Sequence, residues 1–258
     1  MKTTMNKKLK VIALTILATL APSSGMMAQD NLEASVGADL VSGYIWRGQH
    51  LGGVSIQPSL AASYKGFSLG AWGSAGIESS DTKELDLTLG YSTGGFSFSV
   101  TDYWFNQGDN FKTGMPTSGE YFHYGTYSTA HVFEAQIGYD FGPMVVNWYT
   151  NFAGNDGIKK NGKRAYSSYL AVSVPLTFGG LEWNVDLGMV PWETTFYNGY
   201  TSGFCVSDVS LSAAKDMKVT SSFTLPAFAK VTVNPRTEGA YFTFGLSFSE
   251  SKKKNKSH

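Results

Sequence analysis

The sequence predicts an all-β protein, a closed antiparallel transmembrane β-barrel of about 12 strands. Three observations predict it: apolar residues alternate with polar ones, the alternating segments are long, and the connections between them are short and long in turn. Because successive side chains of a strand point to opposite faces, this alternation gives a sheet with one apolar and one polar face. In the last segment the residues on the apolar face are Phe242, Phe244, Leu246 and Phe248.

Twelve segments show the alternation. In chain order they are 34–46, 54–65, 67–77, 84–92, 96–105, 128–140, 144–152, 165–176, 181–190, 206–213, 220–233 and 240–248. Strands of soluble proteins are typically about five or six residues long, whereas a tilted strand needs about 9–11 residues to cross a bilayer. The lengths therefore favour a barrel in a membrane over a soluble β-sandwich, which shows the same alternation. An even number of strands is expected of a single-chain bacterial barrel.

The connections fall into two sets. Those after the even-numbered segments are short and most contain Gly: 65–66, 92–95, 141–143, 177–180 and 214–219. Glycine adopts the positive φ that tight hairpins require. Those after the odd-numbered segments include the long links 106–127, 153–164 and 191–205. Short turns at one rim and long loops at the other are typical of outer-membrane barrels, with the turns in the periplasm.

Three prolines fall inside predicted strands, namely Pro58, Pro175 and Pro226. Proline has no N–H to donate to a neighbouring strand, so the ladder is interrupted where it lies. We expect bulges, kinks or shifted strand boundaries at these positions.

The chain divides into three predicted parts: a signal peptide (1–28), the barrel (29–249) and a basic periplasmic tail (250–258). The signal has basic residues at its start, an apolar segment over 11–20 that is too short to span a bilayer, and a cleavage site after Ala28. Removing its four lysines leaves 16 basic against 20 acidic residues, a net charge of −4. This balance gives no sign of a nucleic-acid partner.

The sequence shows no catalytic or metal-binding constellation, so we expect neither an enzyme nor a cofactor. A barrel phospholipase needs a His-x-Ser pair, and none of the four histidines is followed by such a serine. His131 falls on the apolar face near a loop, where it is an interfacial residue. The single cysteine, Cys205, can form neither an internal disulfide nor a thiolate cluster, and no histidine pair has metal-ligand spacing.

The segment Ser42-Gly43-Tyr44-Ile45-Trp46-Arg47-Gly48 resembles the first-strand signature of the TorF-type porin family, whose members are also catalogued as Gcw_chp proteins. The family signature has Asp where this chain has Gly43 and Phe where it has Trp46, so no role of that Asp is carried over. Further likeness lies at 57–58, 64–67, 209–213 and 234–235. The resemblance implies an outer-membrane barrel with a pore function and no known substrate. The matching motif residues are Ser42, Tyr44, Trp46, Arg47 and Gly48.

The last predicted strand also resembles the signal that the barrel-assembly machinery reads, a polar residue, Gly and two aromatic residues at fixed spacing. Here these are Thr237, Gly239, Phe242 and Phe244. The resemblance implies that this machinery and the lipid of the outer membrane are partners of the chain.

Assigning the apolar face to lipid leaves the polar face for the lumen. The predicted pore-lining residues are Gln57, Glu84, Asp86, Glu134, Gln136, Asn147, Tyr149, Glu182, Asp186 and Lys230. Acidic residues outnumber basic ones there, which favours cations in a water-filled lumen. The alternative is that Arg47, Arg164 and Lys230 pair with the acids and leave little net field.

A barrel of about twelve strands lies between those filled by side chains and those with a wide channel. We therefore expect a narrow channel in the bacterial outer membrane for passive diffusion of ions or small polar solutes. The alternative function is a non-conducting structural or adhesive surface barrel, because the loops 106–127 and 191–205 are rich in aromatic residues. Such side chains are contact anchors for a partner, or they fold inward as a plug.

Overall fold

The computed structural model describes residues 32–78, 81–197, 203–220 and 224–253. The predicted signal peptide lies outside these residues, as do Lys254, Lys256 and Tyr200. Within the described ranges, no helix has the length and apolar character needed to cross a bilayer.

Twelve antiparallel strands form a closed barrel, which confirms the predicted fold class. The segment Glu33–Val41 pairs with Ser55–Tyr64 on one side and with Gly239–Lys253 on the other, and this pairing closes the sheet into a cylinder. The barrel strands are β1 (Glu33–Val41), β4 (Ser55–Tyr64), β5 (Phe67–Gly76), β6 (Glu84–Thr93), β7 (Phe96–Phe105), β8 (His131–Asp140), β9 (Val145–Gly154), β10 (Ser168–Phe178), β11 (Leu181–Val190), β12 (Cys205–Lys218), β13 (Thr224–Asn234) and β14 (Gly239–Lys253). Two further strands, β2 (Tyr44–Trp46) and β3 (Gln49–Gly52), form a separate hairpin.

The barrel wall has an apolar outer face and a polar inner face. In β6, for example, Leu87 and Leu89 are exposed, whereas the alternate residues Glu84, Asp86 and Thr88 are buried in the interior. The outer face carries large apolar side chains around the whole circumference, with Leu89 60% and Phe242 66% exposed. Because each strand keeps the period of two, one face of the sheet meets the surroundings and the other meets the lumen.

Short turns join the strands at the rim where β1 begins and β14 ends. Gly94 and Gly95, for example, both have positive φ between β6 and β7, as a two-residue hairpin turn requires. The longer loops, which include 106–130, 155–167 and the described parts of 191–204, lie at the opposite rim. We call these two ends the turn rim and the loop rim.

The prediction that the first strand runs from 34 to 46 was wrong at its end. β1 stops at Val41, and the chain then turns into the barrel as the β2–β3 hairpin. Tyr44, Trp46 and Arg47 are all buried there. In the sequence these residues continue directly from the first strand, but in the structure they contact side chains inside the lumen and do not pair with a strand of the barrel wall.

The prolines do not produce bulges. Pro58 lies in β4 opposite Ala38 of β1, and the ladder from β4 to β5 is interrupted at positions 57–58 without any change in register. Pro226 lies in β13 before its pairing with β14 begins at Ala227. Each of these prolines therefore occupies a place where a neighbouring strand requires no N–H from it.

Candidate functional site

The candidate site is the interior of the barrel near the loop rim, where residues 42–54 form a hairpin that we call the inner hairpin. Its turn is the dipeptide Arg47-Gly48, with φ of 49° and 78°. A two-residue hairpin turn of this type needs positive φ at both central residues. Positive φ is uncommon for a residue other than glycine and is found where surrounding contacts enforce it.

The Arg47 guanidinium makes a paired hydrogen bond with the carboxylate of Glu134 on β8. Nη1 donates to Oε2 at 2.6 Å and Nη2 donates to Oε1 at 2.8 Å. The Tyr103 hydroxyl, from β7, donates to the same Oε1 at 2.8 Å. All three side chains are buried, so the positive charge is neutralised at the place where it leaves water.

Four aromatic rings surround the same guanidinium. Its central carbon lies 4.6 Å from the ring centre of Trp46, 4.2 Å from that of Tyr149 and 4.7 Å from that of Tyr169. The ring of Tyr197, in the loop 191–204, lies 5.7 Å away and its hydroxyl accepts a hydrogen bond from Arg47. Burial raises the pKa of this hydroxyl, so it stays neutral. We call these four rings with Glu134 the arginine cage.

Contacts of the inner hairpin reach across the lumen. On one side the Tyr44 hydroxyl donates to Glu84 of β6 at 2.8 Å, and its ring lies 5.6 Å from that of Trp72 on β5. On the other side the carbonyl of Gly48 accepts a hydrogen bond from Asn234 of β13 at 2.9 Å. The hairpin therefore bridges opposite sides of the barrel inside the lumen.

A bulge in the barrel wall lies beside the cage. Between β8 and β9 the register shifts after Phe133, so that Phe152 is an extra residue opposite Glu134. Bulges redirect the side chains next to them and are frequent beside functional sites. Here the carboxylate that holds Arg47 is the residue at the shift.

The structure places all the predicted pore-lining residues on the inner face. It brings Glu134 and Tyr149 together around Arg47, and it joins Gln136 to Asn147 by a hydrogen bond of 2.7 Å. Nζ of Lys230 lies 3.6 Å from Oδ2 of Asp186, in agreement with the alternative that basic residues pair with the acids of the lumen. Gln57 is buried beside Ser74, and Glu182 is exposed at the turn rim. That these residues line a path for solutes stays a prediction.

Two buried acidic residues of β6 have no basic partner in the described part of the chain. Glu84 and Asp86 are buried on β6, and neither forms an ion pair, in contrast to Glu134 and Asp186. Oδ1 of Asp86 is buried with no hydrogen-bond partner. The pairing of acids with bases is therefore complete at Arg47 and incomplete at β6.

Sequence reasoning missed the cage itself. Tyr197 was predicted as an aromatic residue of a loop that contacts a partner or folds inward. Arg47 was predicted as part of a strand signature and, in the alternative, as a partner of the lumen acids. The available signal was the Arg-Gly dipeptide, a pair suited to a tight turn, in a segment that was otherwise regular.

Loop 106–130 folds back onto the outer wall close to the loop rim. His131 is buried there, with Nδ1 2.7 Å from Oδ1 of Asp102 and Nε2 2.6 Å from the carbonyl oxygen of Tyr121. The ring of Tyr124 stacks on the imidazole at 4.4 Å. His131 has no serine as a hydrogen-bond partner, and both of its nitrogens are already occupied.

The buried carboxylate of Asp156 holds the loop 155–167, which follows β9. Asp156 accepts hydrogen bonds from the backbone N–H groups of Gly157 and Ser167 and from the side chain of Asn151. Burial raises the pKa of Asp156, and these hydrogen bonds act against that rise. In the described ranges, no group of three or more His, Cys, Asp or Glu residues could hold a metal ion.

No family model matches the chain, and no curated protein sequence does. Among solved structures, the chain is similar to the KdgM porin, with 8% identity, a TM-score of 0.42 and coverage of 84% of this chain and 98% of that one. It is also similar to the NanC porin (8% identity, TM-score 0.40, 85% and 99% covered) and to the CymD monoaromatic hydrocarbon channel (11% identity, TM-score 0.40, 89% and 90% covered). These scores are too low to transfer any property of those proteins to this chain.

Proposed function

We propose that the barrel is a narrow channel of the bacterial outer membrane for passive diffusion of ions or small polar solutes, with the inner hairpin as its constriction. The observation that supports this most directly is the contrast between the two faces of a closed sheet: an apolar outer wall around a polar and acidic interior. A closed barrel satisfies all its backbone groups within the sheet, as a membrane-spanning structure must.

The outer wall supports a location in lipid. Exposed leucine and phenylalanine side chains continue from strand to strand, and in water an apolar surface of this extent would drive association. At the turn rim, pairs of aromatic rings lie in contact, with Phe67 and Tyr91 4.7 Å apart and Phe96 and Tyr139 4.6 Å apart. Rings of this kind prefer the headgroup region.

The inner hairpin explains why conduction would be small. It reaches from β5 and β6 on one side to β13 on the other, so solutes must pass beside it or wait for it to move. Glu84 and Asp86, which form no ion pair, lie next to this crossing. We propose that they give the channel a preference for cations. A salt gradient across a planar bilayer tests this preference, and a reversal potential of anionic sign would reject it.

The decisive experiment is reconstitution of the mature full-length protein in planar bilayers, together with a variant that lacks residues 44–52. We expect small unit conductance for the natural protein and a larger one for the variant. If neither protein conducts while both keep heat-modifiable mobility on a gel, the channel is rejected.

The second candidate is a non-conducting structural or adhesive barrel, and one observation favours it. Phe122 is 86% and Phe204 is 65% exposed, both in loops at the loop rim, where such side chains suit contact with a partner. Absence of conductance in both proteins of the preceding experiment would favour this candidate.

We further propose that residues 1–28 are a cleaved signal, that the barrel-assembly machinery inserts the chain, and that the chain is a TorF-type (Gcw_chp) porin and not an enzyme. The terminal strand β14 presents Phe242 and Phe244 on its outer face, which supports recognition by that machinery. N-terminal sequencing of the protein purified from membranes tests the cleavage site.

A further inference from the structure

A cavity of about 200 Å³ lies above the inner hairpin at the loop rim of the lumen. Its walls come from the hairpin itself, from the ends of β6, β7 and β8, and from four loops. It is smaller than the pockets of about 300–1,000 Å³ that hold drug-sized ligands, so its occupant must be a small molecule.

Aromatic rings form part of the cavity wall. Trp46, Phe105, Phe111 and Phe196 line it, and Phe196 contacts two of the others. The ring centres of Trp46 and Phe196 are 5.9 Å apart, and those of Phe111 and Phe196 are 5.5 Å apart. Such a wall takes an apolar body, and the faces of its rings also attract a positive charge.

Both charged residues that line the cavity are acidic. Glu84 is buried at the inner end, where the Tyr44 hydroxyl fixes one carboxylate oxygen, and Asp109 is exposed at the outer end. No lysine, arginine or histidine lines the cavity. Asp86, whose Oδ1 is buried and has no hydrogen-bond partner, follows Glu84 on the same face of β6. Burial without a counter-ion disfavours the charged form of a carboxyl group, and a bound cation favours that form.

The neighbouring arginine cage shows the same chemistry with its occupant in place. There, a carboxylate and four rings hold the guanidinium of Arg47, and Trp46 belongs both to the cage and to the cavity wall. The cavity repeats the arrangement of rings and a buried carboxyl group.

We infer that this cavity binds a small organic cation, an ammonium or guanidinium group on an apolar body. The positive group lies at Glu84 and the apolar body lies against the rings. The inference goes beyond the proposed channel, because binding requires the cavity and does not require conduction.

The test is isothermal titration calorimetry of the full-length protein in detergent, with protein-free micelles as the blank. The probes share one ring and differ in charge: 2-phenylethylammonium, neutral 2-phenylethanol and anionic phenylacetate. We expect the ammonium to bind at least tenfold more tightly than the alcohol, and the anion to be weakest. Equal binding of the ammonium and the alcohol would overturn the inference, since the cavity would then be merely apolar.

Two variants locate the site. Glu84→Gln should weaken binding of the ammonium at least tenfold, whereas Glu182→Gln, which removes a lumen carboxylate at the turn rim, should leave its Kd within twofold. Equal losses in both variants would contradict a site at Glu84. If Glu84→Gln fails to fold, as its mobility on an unheated gel would show, the comparison of the three probes on the natural protein still decides.

Bilayer recordings of the same preparation separate this inference from the channel. Ammonium binding without conductance supports the cavity and removes the channel. Conductance without ammonium binding supports the channel and removes the cavity site.

Discussion

Glu134 and Arg47 lie 87 residues apart in the sequence and form two hydrogen bonds, of 2.6 and 2.8 Å, in the interior of the barrel. This contact ties the turn of the inner hairpin to β8. Removing one partner of a buried ion pair typically costs about 3–5 kcal/mol, because the other charge is left uncompensated.

The first prediction concerns this pair. Glu134→Gln keeps the shape of the side chain and removes its charge, so the hairpin should be held less firmly and the unit conductance should rise at least twofold. Glu182→Gln serves as the control, since it also removes one lumen carboxylate, and should leave the conductance within about 20%. An unchanged conductance in Glu134→Gln would show that the hairpin does not limit the flow.

The second prediction concerns the turn of the hairpin. A Cβ at Gly48 would overlap the carbonyl oxygen of Ser207, and its φ of 78° disfavours any side chain. Gly48→Ala should therefore displace the turn and open the bond after Arg47 to trypsin in the folded barrel. Gly53→Ala is the matched control, because a Cβ there would meet only Asp81 at 3.9 Å. Equal protection of the two variants would contradict the placement of the turn against β12.

The third prediction tests the outer wall. Leu89 lies halfway along β6 and points outward, so Leu89→Lys places a charge near the middle of the bilayer. A lysine at the midplane costs about 2–4 kcal/mol, and near the interface about 0–1 kcal/mol. Unfolding in lipid vesicles by denaturant should show this loss for Leu89→Lys and almost none for Thr93→Lys, at the turn rim. Equal effects would mean that β6 does not cross a bilayer at this depth.

The fourth prediction concerns the loop 106–130. His131 joins Asp102 to the carbonyl of Tyr121, so His131→Ala should release this loop from the wall. Hydrogen exchange of the loop amides should then increase at least tenfold. His123→Ala, an exposed histidine of the same loop, is the control and should leave exchange unchanged. Slow exchange in both variants would indicate that other contacts hold the loop.

The barrel could be predicted because its signals are local. The alternation of residues 181–190 predicts a strand with the bounds that the structure shows, and the segment 67–77 differs from β5 by one residue. Closure of the sheet required no further information, since an apolar wall with no open edge is the arrangement that lipid allows.

The ends of some strands were predicted less well. β12 continues to Lys218 and β14 to Lys253, beyond the segments ending at 213 and 248. Most of the added residues, such as Lys215 and Asp216, are polar and occur on both faces, so these segments lack the alternation that marks a strand in lipid. β12 nevertheless remains paired with β13 as far as Lys218.

The candidate site could be predicted only in part. The period of two along each strand predicted that Glu84, Glu134 and Asp186 lie on the inner face. The arginine cage did not follow, because it joins a turn at Arg47 to Tyr149, Tyr169 and Tyr197, which lie more than 100 residues later in the chain. Contacts of this kind depend on the closed cylinder and leave no periodic trace in the sequence.

The arginine cage also sets an order on biogenesis. The hairpin emerges from the ribosome with the first strand, yet every group that surrounds its guanidinium, apart from the adjacent tryptophan, is synthesised later. The hairpin also contacts Asn234 of β13, so it reaches its final contacts only when nearly all of the barrel has been synthesised. The step that places it in the lumen therefore comes late in assembly.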